Sequence, residues 1–215
     1  MVDLTLYIGN KNYSSWSFRP WIAMRHFDIP FDEELVPFDF AAGNPAFAAF
    51  SPTNRVPVLK HGDLTVWESL AILEYLADLY PEKQIWPARS DLRAQARSVS
   101  AEMLGGFSAL RSECPMNMRR EPSVLDISEA AKRDVGRIER IWRECIETHG
   151  GPYLFGDFSI ADAMYAPVVN RLAIYMLASD PVACEYMKTI KALPAWREWE
   201  LAGRQEHWII EEDEV

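Results

Sequence analysis

Asn12-Tyr13-Ser14-Ser15-Trp16-Ser17-Phe18-Arg19 places three hydroxyls behind a short apolar run, Leu4-Thr5-Leu6-Tyr7-Ile8, and ahead of a helix-periodic segment. A serine oxygen accepts from the backbone N–H groups that a starting helix leaves unpaired, so one reading is capping. The other is chemical: a hydroxyl facing a pocket at a positive helix end, where an anion is favoured. Two further places could carry chemistry. Val56-Pro57 opens a predicted internal strand, where the missing proline N–H would spoil a ladder. A cis bond there, the rarer isomer, would turn the chain and leave the Val56 backbone N–H and C=O able to pair with an extended peptide. Glu68-Ser69 stands where the last predicted strand meets a periodic helix. Ser69 reads as an N-cap or as the hydroxyl of a carboxylate site, and Glu68 beside it could take an ammonium. Together these are fittings for a small acidic peptide.

Other chemistries are poorly supplied. No G-x-S-x-G elbow occurs, and His26, the histidine nearest the serines, lies well down the helix, where it reads as a packed or surface residue. Cys114, Cys145 and Cys184 are an odd set without C-x-x-C spacing, which argues for buried free thiols and against a disulfide framework or a metal site. A net charge of −10 and the lack of a basic stripe disfavour nucleic acid as a partner. Glu211-Glu212-Asp213-Glu214 reads as a solvated tail. Neither a basic segment followed by an apolar one at the start nor an apolar run of roughly 18 residues is present, so a cytoplasmic protein without a membrane partner is expected.

The elements that must position these residues change character along the chain. Residues 4–8 read as a strand and 16–27 as a helix, followed by a second strand over 31–38 and irregular helix and loop over 41–50. Val56-Pro57-Val58-Leu59 and Leu64-Thr65-Val66-Trp67, separated by a Gly62-Asp63 turn signal, read as an antiparallel hairpin. Leu70, Ile72, Leu73, Leu76 and Leu79 share one face of a helix that begins at Ser69. The order β-α-β-(α)-β-β-α fits a small α/β domain over 1–81, and Pro81 and Pro87, at the start of and within 82–90, suit a linker there. Residues 91–215 read as all-helical, with helices over 91–111, 123–149, 160–177, 182–192 and 195–204. Ser159-Ile160-Ala161-Asp162 has the form of a capping box and reads as structural.

The whole chain resembles the cytosolic glutathione transferases, nearest to zeta-like bacterial members. Ser14-Ser15-Trp16-Ser17-Phe18-Arg19 resembles the zeta-class SSCSWR signature, Ser51-Pro52-Thr53-Asn54-Arg55-Val56-Pro57-Val58-Leu59 the family's NPxxxVPxL, and Trp67-Glu68-Ser69-Leu70-Ala71-Ile72-Leu73-Glu74-Tyr75-Leu76 its xESxAIxxYL. The Ser159–Asp162 box also matches the family. The resemblance implies a thioredoxin-like domain followed by an all-α domain that contributes the second-substrate site, a cis Pro57 and a homodimer. It implies that Ser14 is the catalytic serine, donating to the sulfur of the co-substrate glutathione. Val56 would pair with the cysteinyl part, and Glu68 with Ser69 would hold the γ-glutamyl end. Ser15 would support the thiol or cap the helix, and Arg19 would be a structural ion-pair partner. The expected activity is conjugation of glutathione to a small electrophile. Alternatives are an isomerisation of the maleylacetoacetate type and a non-catalytic binding protein of the same fold. Trp16 stands where the zeta signature has Cys, which bears on the isomerase activity, and a redox thiol transferase would need Cys in place of Ser14. The segment Cys114-Pro115-Met116-Asn117-Met118 could border the second substrate or belong to the core.

Overall fold

Leu4, Leu6 and Ile8 are buried while Thr5 and Tyr7 between them are only partly covered, and this period-2 run forms β1 (Leu4–Ile8). The computed structural model describes residues 3–215. Strand β1 is an inner strand of a four-stranded sheet of order β2-β1-β3-β4. It pairs parallel with β2 (Asp32–Leu35) and antiparallel with β3 (Val58–His61). Strand β3 pairs antiparallel with β4 (Leu64–Trp67) through a turn in which Gly62 has φ 55°. The strand expected over 31–38 is shorter: Val36 still donates to the Ile8 carbonyl, but Pro37 has no N–H to continue the ladder.

Helix α1 (Ser15–His26) connects β1 to β2 and is buried from Phe18 to Met24 because it lies between the sheet and the helical domain. Phe18 and Trp21 pack on Trp199 and Phe18 also on Trp196, all four fully buried. Helix α2 (Ser69–Leu79) follows β4 and buries Ile72, Leu73 and Leu76. Ser69 is its first helical residue rather than its cap. The N-cap position belongs to Glu68, which sits at φ 68° and makes no side-chain cap bond.

The second domain is helical. The single helix expected over 91–111 is two, α3 (Ser90–Gly105) and α4 (Ser108–Glu113). The chain breaks at Gly106, where a Cβ would stand 2.5 Å from the Glu102 carbonyl oxygen, and re-enters through Phe107 in the left-handed region. Helix α5 (Glu129–His149) starts later than expected because Ser128, accepting from the Ala131 N–H at 3.2 Å, caps it there. Helix α6 (Ile160–Ile174) is buried on nearly every side and stops short of 177, with Met176 at φ 55°. Helices α7 (Pro181–Lys191) and α8 (Pro194–Gln205) both carry proline at their first position, where its missing N–H costs nothing. Short bridges join Tyr153 to Gly156 and Phe155 to Asp157 ahead of α6, small strand-like pairings within the helical half.

Candidate active site

The loop 9–14 leaves β1 at its carboxyl end and delivers Ser14 to the N-terminus of α1. Ser14 is 4% exposed, and its Oγ donates to Ser17 Oγ at 2.7 Å. Ser17 Oγ also accepts the Gly9 N–H at 3.1 Å, so Ser17 ties the strand end to Ser14 instead of merely occupying the first turn. No side chain caps α1, so the serines are not spent on capping. Ser15 Oγ accepts from Arg171 at 3.3 Å, across from α6.

Arg19 is not the ion-pair partner that the motif suggested. It is fully buried, donates from Nε to the Met164 carbonyl at 3.0 Å and from Nη1 to the Ser15 carbonyl at 3.3 Å, and stacks on Trp16 at 4.0 Å. The Arg111 guanidinium lies over the same indole at 4.6 Å. Arg171 donates to the carbonyls of Arg111 and Cys114 as well as to Ser15. None of Arg19, Arg111 and Arg171 forms an ion pair among the described residues. Burial and mutual repulsion push the Arg19 proton affinity well down and that of Arg171 to a pKa of about 10, and burial alone lowers Arg111. At neutral pH all three remain cations, and no carboxylate stands within ion-pairing distance of them among the described residues.

Ser14, Ser15 and Val56 border a cleft of about 580 Å³, together with Arg111, Arg171 and Asp213. Glu68 and Ser69 border an adjoining recess of about 150 Å³ that shares Trp16, Val56 and Arg111 with the cleft. The Val56–Pro57 bond is cis. The loop before it is fixed by Ser51, whose Oγ accepts the Arg55 N–H at 3.0 Å and donates to the Arg55 carbonyl at 2.7 Å. Ser69 Oγ is buried and without a partner at the start of α2. Pro115 and Met116 also border the cleft, whereas Met118 is core.

Ser159 and Asp162 lie elsewhere, at the start of α6, and form a complete capping box. Asp162 accepts from the Ser159 N–H and Oγ, the Leu154 N–H and the Tyr186 hydroxyl. His26 stacks on Phe158 at 4.0 Å, outside the cleft. Cys114 is buried, with burial pushing its thiol up to about 11, while Cys145 and Cys184 are only half-buried. No cluster that could hold a metal, and no helix long and apolar enough to cross a membrane, occurs among the described residues.

The C-terminal acidic run is only partly a solvated tail: Glu211 and Glu212 are exposed, but Asp213 is half-buried and Glu214 is hydrogen-bonded to Tyr13. Glu206 accepts the N–H groups of Lys11 and Asn12 at 2.6 and 3.0 Å. Tyr13 donates to Glu214 at 2.5 Å and accepts the Ile210 N–H, and Asp213 reaches the cleft. Arg119 donates to the carbonyls of Glu206 and Trp208 and to the Tyr13 hydroxyl. Sequence reading missed Tyr13, Arg119, Arg171, Glu206 and Asp213. For Arg171 a signal existed: it is the one charged residue in the mostly apolar stretch 163–177.

The model of the glutathione S-transferase N-terminal domain matches residues 13–79, and that of the C-terminal domain matches residues 122–200. The maleylacetoacetate isomerase of Rattus norvegicus is 26% identical over 201 residues, 89% of each chain. A glutathione S-transferase of Hyoscyamus muticus is 29% identical over 77% of this chain and 84% of its own. Among solved structures, a glutathione transferase homologue from Burkholderia with bound glutathione superposes with a TM-score of 0.72 at 26% identity, over 95% of this chain and all of its own. With both of its domains matched in order, on a four-stranded mixed sheet followed by a helical domain, this chain belongs to the glutathione S-transferase family.

Proposed function

We propose that this protein binds glutathione, favours its thiolate through the Ser14 hydroxyl, and presents it to a small electrophile for conjugation. The observation that carries the reading is the buried Ser14 hydroxyl on the cleft wall at the uncapped N-terminus of α1. A hydroxyl hydrogen rotates to suit its partners. The pair, in which Ser14 donates to Ser17, reverses when glutathione binds: Ser17 then donates to Ser14, and the Ser14 proton points at the sulfur. The dipole of α1 and the unpaired guanidinium of Arg171 add positive potential of the right sign. A thiol about two units below its usual value of about 8.5 corresponds to about 2.7 kcal/mol, the order of one charge-assisted hydrogen bond plus a helix dipole.

The adjoining recess fits the other end of the tripeptide. The orphaned Ser69 Oγ and the first N–H groups of α2 suit a carboxylate, and Glu68 suits the ammonium of a γ-glutamyl group. Val56, bordering both cavities, would pair through its backbone with the cysteinyl part. In this reading residues 1–81 are the glutathione-binding domain, 82–90 the linker and 91–215 the domain of the second substrate. The protein acts as a cytoplasmic homodimer. One observation favours a second activity, isomerisation of a dicarboxylic substrate: Arg111 and Arg171 in the cleft match carboxylates, and the rat relative bears that activity in its name.

The test is an ultraviolet titration of bound glutathione with wild type and Ser14→Ala. The wild type should hold the thiol about two units below about 8.5, and Ser14→Ala should return it most of the way. A thiol near its free value in both proteins would overturn the mechanism. Failure of the wild type to bind immobilised glutathione would overturn the reading of the site.

A further inference from the structure

Residues 206–214 form a strap held at both ends. Glu206 takes two N–H groups of the loop that carries Ser14, and Glu214 takes the Tyr13 hydroxyl one residue before Ser14. Between them Ile210 is buried and its N–H donates to Tyr13 at 3.3 Å. The outer acids Glu211 and Glu212 are exposed, but the half-buried Asp213 turns its side of the strap to the cleft. The same cleft is bordered by Arg171, buried and without a carboxylate partner, and by the half-buried Arg111 over Trp16. A fixed anion therefore shares a cleft with two cations, close enough that the Asp213 and Arg171 charges shift one another, yet no ion pair closes between them. That geometry leaves the cations open to a ligand while offsetting part of their field.

We propose that the C-terminal strap is a wall of the second-substrate pocket and that Asp213 determines which charge the pocket accepts, partly screening Arg111 and Arg171 against anionic ligands. This rests on the cleft being the second-substrate site of a glutathione transferase, but the screening itself needs no glutathione. An anion entering beside Arg171 meets the Asp213 carboxylate as a like charge, whereas an uncharged ligand of the same shape does not. Removing the charge of Asp213 raises the affinity for the anion alone. At the dielectric constant of water, near 80, a unit charge about 4 Å away in an open, solvated cleft corresponds to about a fivefold change.

The experiment measures binding of 3,5-dinitrobenzoate and of the uncharged 3,5-dinitrobenzamide by tryptophan quenching, without glutathione, to wild type, Asp213→Asn and a chain ending at Ile210. Both variants should bind the benzoate about fivefold more tightly relative to the amide. The truncated chain keeps the Ile210 N–H bond to Tyr13 but loses the acids 211–214 together and ends in a carboxylate at Ile210, so it reads the strap as a whole while Asp213→Asn reads the one carboxylate. Equal effects on both probes, or no effect in either variant, would overturn the proposal. A charge-selective change in a protein that fails to bind glutathione would support it while removing the functional reading. In turnover, Asp213→Asn should raise kcat/KM for 4-chloro-3,5-dinitrobenzoate relative to 1-chloro-2,4-dinitrobenzene by the same factor.

Discussion

Of the hydroxyls at the first turn, Ser14 faces the cleft, Ser17 stands behind it and Ser15 meets Arg171. A donor is stronger when its own oxygen accepts from a neighbour, because each bond polarises the next. Ser17→Ala removes that neighbour and leaves the Gly9 N–H without its acceptor. The thiol of bound glutathione should then rise by about half a unit to one unit, less than in Ser14→Ala, with a loss of stability of about 1 kcal/mol from the unpaired Gly9 N–H. Ultraviolet titration and urea unfolding on the same preparation check both. An unchanged thiol would show that Ser17 only fastens the loop. The spacing of the serines was legible in the sequence, but their division of labour was not. Ser14 and Ser17 lie three residues apart on one helical face, and it takes the position of Gly9, set by β1, to decide which of them turns inward.

At the scale of elements, α1 and the β3–β4 hairpin were legible because each owes its form to local patterning: an apolar run, a Gly62-Asp63 turn, a periodic face. The break at Gly106 was not, since a glycine inside a helical pattern is tolerated unless the next turn needs the space a Cβ would fill. Helix α6 shows the reverse case. Its Ser159–Asp162 start was readable as a capping box, but the depth of its burial comes from α1, α3 and α7 packing around it. That burial raises the Asp162 carboxyl to about 6 despite the hydrogen bonds it accepts. Between about pH 4 and 6 the folded chain therefore binds more protons at this site than the unfolded one, so the Asp162 contribution is fully present in acid and is lost as pH rises through 6. Asp162→Asn keeps an acceptor oxygen but does not titrate. The stability gap between wild type and Asp162→Asn, from urea unfolding, should narrow by up to about 3 kcal/mol between pH 4 and pH 7. A gap that stays constant or widens would mean that the hydrogen bonds, and not burial, set this carboxyl.

On the scale of the whole molecule, the net charge of −10 and the cationic cleft describe different distances. Exposed charges farther away than a Debye length of about 8 Å are screened at physiological salt, so the field in the cleft is set by the local charges of Arg111, Arg171 and Asp213 more than by the net charge. Arg119 is one of the ties that join the two halves beside this cleft. Its backbone N–H donates to Asn12 Oδ1, and its guanidinium spans Tyr13, the Glu206 carbonyl and the Trp208 carbonyl. Such a tie was not legible in the sequence because its partners lie 87 to 107 residues away, beyond any periodicity. Arg119→Met keeps the length of the side chain and the backbone bond to Asn12, but removes the fork. The amides of Lys11, Asn12 and Ile210 should then exchange hydrogen at least tenfold faster, the equivalent of about 1.4 kcal/mol of local stability, while those of β3 and β4 keep their rates. With the strap loosened, the Asp213 carboxylate no longer stands at a fixed place in the cleft. The same variant should therefore lose part of the discrimination between 3,5-dinitrobenzoate and 3,5-dinitrobenzamide without any change to a residue of the cleft wall. Uniformly faster exchange across the sheet would instead mark Arg119 as a support of global stability, and unchanged exchange at Ile210 would show that Tyr13 and Glu206 hold the strap without it.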